Sequence, residues 1–143
     1  MNILVSKLIE NNYKIALTES CTGGALAHQF TRISGSSNYF VGSIVAYHKD
    51  VKVNLLGIDE NIPLVSKICA TQMVYGLSKI VEADIYVSTT GTFGPRDTTL
   101  VYSSILFKDT IYSFCFNTDT RDRMESTDII INKIITNILK IIC

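Results

Sequence analysis

Seven consecutive residues, Thr18-Glu19-Ser20-Cys21-Thr22-Gly23-Gly24, carry the densest chemistry in this chain. They lie between Ile15-Ala16-Leu17, which reads as a short apolar strand, and Ala25 to Phe30, which reads as a helix. In an open α/β sheet, ligands bind beyond the carboxyl ends of the strands. A helix that starts there offers unpaired backbone N–H groups and a partial positive charge, which can hold a phosphate or a developing oxyanion. The glycines let backbone approach a ligand closely, and Ser20 supplies a hydroxyl nucleophile. The same residues also suit a plain helix cap by Ser20 or Thr22, so spacing alone leaves both readings open.

A serine nucleophile needs a base. His28 falls inside the expected helix and His48 beside Tyr47, neither in a setting that suggests a Ser-His-Asp triad, and no Gly-x-Ser-x-Gly elbow is present. Lysine is the other base known to activate serine, and Lys52 is the candidate. It can act only where burial or a neighbouring cation lowers its pKa. Lys52 could equally be a solvated lysine like Lys49. Cys21, next to the serine, reads as a small buried apolar residue. The nucleotide fingerprints G-x-G-x-x-G and Gly-Lys-Ser/Thr are absent. Cys21, Cys69, Cys115 and Cys143 are scattered without a C-x-x-C pair, and no histidine stands at ligand spacing from them, so no metal site is expected.

Around these residues the hydrophobic pattern predicts helices over Ile3 to Ile9, Asp50 to Leu56 with Gly57 as its stop, Ser66 to Val81, and Glu125 to Ile142. Strands are predicted at Phe40 to Tyr47, Ile85 to Ser88, Leu100 to Phe107 and Ile111 to Phe116, the last two joined as a hairpin through Lys108-Asp109-Thr110. This order indicates an α/β fold: a single three-layer domain whose mixed, mostly parallel β-sheet is flanked by helices.

With 143 residues, 47% of them hydrophobic and 18% charged, the chain can bury a core and is not a disordered segment. Thirteen basic residues balance thirteen acidic ones, which argues against a nucleic-acid or anionic-membrane binder. No signal peptide or membrane span is legible, so a cytoplasmic protein is expected. The absence of net charge suits a homo-oligomer.

The blocks Thr18 to Gly24, Ile33 to Phe40, Tyr47 with Lys52-Val53-Asn54-Leu55-Leu56-Gly57, and Thr90-Gly91-Thr92-Phe93-Gly94-Pro95 together resemble the CinA carboxy-terminal domain family, which includes nicotinamide mononucleotide amidohydrolases. The resemblance covers almost all of residues 1–143. It implies a Ser-Tyr-Lys site: Ser20 as nucleophile, Lys52 as base, and Tyr47 as a proton relay. It also implies substrate contacts from Thr22, Gly23, Gly24, Thr90 and Arg121. The implied reaction releases ammonia from the carboxamide of a pyridine nucleotide, with no cofactor and no metal. Two departures stand out. Where relatives follow Gly-Pro with more glycines, this chain has Arg96-Asp97-Thr98-Thr99, and two readings of Arg96 stay open: it supplies charge in place of that loop, or it pairs with Asp97 or another surface acid. The segment Asn117 to Arg121 lacks the glycine that usually precedes the arginine, and Arg123 offers a competing alignment. These changes keep a second expectation open, a catalytically silent ligand-binding or protein-interaction module.

Overall fold

The computed structural model describes residues 1–93, 99–120 and 122–143. Its elements are α1 (Asn2–Glu10), β1 (Ile15–Glu19), α2 (Ala25–Thr31), β2 (Phe40–Val45), α3 (Lys49–Leu56), α4 (Lys67–Ser78), β3 (Ile85–Thr92), β4 (Thr99–Phe107), β5 (Thr110–Thr118) and α5 (Arg123–Ile142), with a 3-10 turn at Ser36–Asn38. The five strands form one mixed sheet in the order β2-β1-β3-β4-β5. Pairing is parallel from β2 through β1 to β3 and antiparallel from β3 to β5.

Helices cover both faces. On one, Leu4 and Leu8 of α1, Phe30 of α2 and the Ile130, Ile134 and Ile138 stripe of α5 pack on Leu17, Val87 and Ile105. On the other, Leu56 of α3 and Met73, Val74 and Leu77 of α4 pack on Ala16 and Tyr86. Burying each such side chain contributes about 1.5–3 kcal/mol before chain entropy is counted. The helix signals act as their chemistry requires. Ser66 accepts from Cys69 N at 3.1 Å, and Asp122 accepts from Glu125 N at 2.9 Å; caps of this kind are worth about 1 kcal/mol. The β4–β5 turn is Lys108-Asp109, both at positive φ (49° and 62°), the conformation that matches strand twist in a two-residue hairpin.

The elements fall close to their expected limits, with two instructive differences. β1 runs on to Glu19 and β3 to Thr92, because polar residues there find partners across the sheet instead of leaving it. β2 stops at Val45, two residues short of the expected Tyr47, as the carbonyls of Ala46 and Tyr47 turn towards Lys52. Among the described residues no helix is long and apolar enough to cross a membrane.

Candidate active site

Ser20 is the first residue beyond β1, at the carboxyl end of the parallel strands, and is 7% exposed. Its backbone N–H donates to Thr89 O on β3 at 2.9 Å and reaches Thr89 Oγ1 at 3.3 Å. The chain then turns sharply. Gly23 N donates to Ser20 O at 3.1 Å, and Gly23 and Gly24 take φ of 57° and 98°, the left-handed region that glycine enters without strain. Neither Ser20 nor Thr22 caps α2, which corrects the cap reading left open by spacing, and an anion from within the chain sits at the start of the helix. That anion is the buried Glu19 carboxylate, accepting from Leu26 N at 2.9 Å and Ala27 N at 3.0 Å. A negative charge at a helix start is stabilised there by the helix dipole.

Lys52 comes in from the other face of the sheet. It lies on α3 and is 2% exposed. Its depth depends on Gly76 of α4, where a Cβ would stand 2.1 Å from the Leu56 carbonyl oxygen, so only glycine lets α3 close onto α4. The ammonium Nζ lies 2.7 Å from Ser20 Oγ, 2.7 Å from Ala46 O and 2.9 Å from Tyr47 O. Desolvation by burial lowers its pKa below the ordinary lysine value of 10.5. When the amine is neutral, the two carbonyls can hold its two N–H groups, and the lone pair then faces the serine hydroxyl. The neighbouring Cys21 thiol is pushed up to about 12, chiefly by burial, so it stays protonated and is a poor nucleophile.

This pairing of a serine after β1 with a lysine on α3 sits on a fold seen before. A crystal structure of a competence or damage-inducible protein from Enterobacter asburiae matches with a TM-score of 0.92 at 20% identity, covering 99% of this chain and 95% of that one. A family model described as CinA C-terminal domain matches residues 1–141. The chain belongs to that family. Protein MG115 of Mycoplasma genitalium is 33% identical over 143 residues, 94% of this chain and 91% of its own length. A CinA-like protein of Chlorobium limicola is 48% identical over 92 residues, 62% of this chain. The aligned part is 21% of that protein, so this CinA domain corresponds to a fraction of the longer relatives.

The other residues singled out in this CinA domain take varied places. The Tyr47 side chain is 59% exposed, and its hydroxyl accepts from Arg123 Nη2 at 3.0 Å rather than facing Ser20. It is the Tyr47 carbonyl that reaches Lys52. The Arg123 guanidinium also lies over the Phe93 ring, 5.7 Å from its centroid, so Tyr47, Arg123 and Phe93 form one cluster linking the β2–α3 junction to the start of α5. Thr22 Oγ1 is bound to Glu19 at 2.7 Å and to Thr89 at 2.8 Å, so a ligand would meet this residue through its backbone. Thr90 Oγ1 donates to Leu64 O at 2.7 Å. Gly23 and Gly24 shape the turn. Arg96 and Arg121 lie outside the described residues. Among those described, no cluster of three or more His, Cys, Asp or Glu side chains is placed to hold a metal.

Sequence reasoning gave no role to Glu19, Thr89 or Phe93, and Arg123 entered it only as a competing alignment for Arg121. The Asp122 cap makes Arg123 the first residue of α5 and fixes where that side chain starts.

Proposed function

We propose that this CinA-family domain is an amidohydrolase, with the carboxamide of nicotinamide mononucleotide as substrate and Ser20 and Lys52 as nucleophile and base. The observation that carries it is the 2.7 Å contact between Ser20 Oγ and a lysine amine that is 2% exposed, with a lowered pKa. A structural lysine is rarely sunk this far without a carboxylate partner. The amine that Lys52 presents is held by carbonyls and a serine hydroxyl instead.

In this reading neutral Lys52 takes the Ser20 proton as Oγ attacks the amide carbon. The oxyanion turns towards the Thr22 N–H, which has no acceptor among the described residues; one such donor is worth about 3–4 kcal/mol. Collapse breaks the C–N bond, and the proton held by Lys52 leaves with ammonia. Water, deprotonated by Lys52, then splits the acyl-serine to nicotinate mononucleotide. Arg123 offers the phosphate a planar, two-pronged partner at the Tyr47–Phe93 cluster. Ammonia release from the mononucleotide by purified protein tests the reading, and no release by protein that still binds the nucleotide overturns it.

One observation favours a second reading, a silent binding module. The Tyr47 hydroxyl, which the resemblance makes a proton relay, is turned to Arg123. Calorimetric titration separates the two: binding without turnover supports a sensor.

A further inference from the structure

Glu19 has 0% exposure, yet its two carboxylate oxygens receive four donors. Thr22 Oγ1 stands at 2.7 Å and Leu26 N at 2.9 Å from Oε1; Ala27 N stands at 3.0 Å and Ser43 Oγ at 3.1 Å from Oε2. A carboxylate so surrounded only accepts, and this fixes the direction of every hydrogen bond leading away from it. The Thr22 O–H donates to Glu19, so Thr22 Oγ1 must accept from Thr89, 2.8 Å away. The Thr89 O–H is thereby spent, and Thr89 Oγ1 has lone pairs left for the Ser20 N–H at 3.3 Å, which it shares with the Thr89 carbonyl. A single directed chain therefore runs from the backbone of Ser20 through Thr89 and Thr22 to a buried negative charge. Such chains polarise each member and stiffen the segment they hold.

We infer that Glu19, Thr22 and Thr89 are positioning residues for Ser20, and that this relay fixes the backbone rotation that keeps Oγ 2.7 Å from Lys52 Nζ. The inference rests on the Ser20–Lys52 reading above. The relay also occupies the Ser20 N–H, so oxyanion stabilisation falls to donors further along the turn. None of the three side chains touches substrate; Thr22 meets it only through its backbone N–H. They act through the nucleophile.

Thr89→Val tests this directly, because valine keeps the shape of threonine and removes only the hydroxyl; Thr89→Ser keeps the hydroxyl and removes the methyl. The readout is the rate at which an alkyl fluorophosphonate modifies Ser20, followed by peptide mass. In that step Oγ bonds to phosphorus, fluoride leaves and Lys52 takes the proton. Thr89→Val is expected to slow labelling by about 10- to 100-fold, the scale of an ångström-sized misplacement. Thr89→Ser should restore it to within about 3-fold of wild type. The pH at half-maximal labelling, set by Lys52, should stay put in both variants, and both should melt cooperatively. A folded Thr89→Val that labels at the wild-type rate overturns the relay. So does a Thr89→Ser as slow as Thr89→Val, since packing and not the hydroxyl would then be responsible. A wild-type domain unlabelled at Ser20 at every pH overturns the nucleophile reading itself, and the relay falls with it.

Discussion

The two ends of the candidate site are built in opposite ways. At Ser20 the polar atoms are buried and bonded: the serine N–H to Thr89, Glu19 to four donors, and Lys52 to two carbonyls and the hydroxyl. Around Tyr47 and Arg123 the side chains are exposed, held by one hydrogen bond at 3.0 Å and a ring contact at 5.7 Å. A buried, fully bonded network is rigid and costly to disturb, whereas an exposed pair is weakly held and easily exchanged for a ligand. Under the proposed function the contrast is a division of labour, with chemistry fixed at one end and recognition left adaptable at the other.

The largest effect should come from the fixed end. Ser20→Ala should lower kcat for ammonia release by at least about a thousandfold while nucleotide affinity stays within several-fold, read by coupled assay and calorimetry. Comparable turnover in the variant would reduce Ser20 to a turn residue and erase the contrast. The adaptable end should behave differently. Arg123→Ala should raise KM for the mononucleotide by about 10- to 100-fold, the range for losing a charge-assisted contact, and leave the non-phosphorylated riboside nearly unaffected. Equal losses on both substrates would show that Arg123 does not read the phosphate.

Two smaller effects sharpen the comparison. The proposed reaction needs neutral Lys52, so its rate should climb with pH and level off below the ordinary lysine value of 10.5. The same shift affects folding. Since the folded state holds this proton less tightly than the unfolded chain, Lys52 makes stability rise with pH between its lowered folded pKa and 10.5. The raised thiols of Cys21 and Cys69 act in the opposite direction, so the quantity to measure is the difference between wild type and Lys52→Met in denaturant melts across that range. An identical pH slope in both proteins would mean that Lys52 is not perturbed. Tyr47→Phe should have the smallest effect, a change of about 2- to 5-fold in KM, because only one exposed hydrogen bond is lost. A thousandfold fall in kcat would instead restore the tyrosine to the chemical step.

The sequence was most readable where one short stretch decides the outcome. The Ser66 cap, the Gly57 stop and the Lys108-Asp109 turn each depend on a few neighbouring residues, and each sits where the residue types place it. The ends of β1 and β3 were harder, because Glu19, Thr89 and Thr90 look like loop residues until their partners across the sheet are known. Burial of Lys52 depends on Gly76, twenty-four positions away, approaching the last turn of α3, which no local pattern records. Family blocks pointed to Ser20 and Lys52 as a pair, and the fold brings them together. They could not show which way the Tyr47 ring faces, since that is decided by an arginine 76 positions further along.

The parallel pairing of β1 with β3 also has a consequence in time. The bonds that hold Ser20 come from Thr89, 69 positions later, across a connection that includes β2, α3 and α4. Closing so long a loop is among the slow steps of folding, while the β4–β5 hairpin can form locally. During synthesis, a chain that has passed Ser20 and Lys52 holds both members of the proposed pair without the strand that orients them. Ser20 is therefore set in place only once β3 has emerged and joined the sheet, so a chain cut short before residue 89 lacks its support.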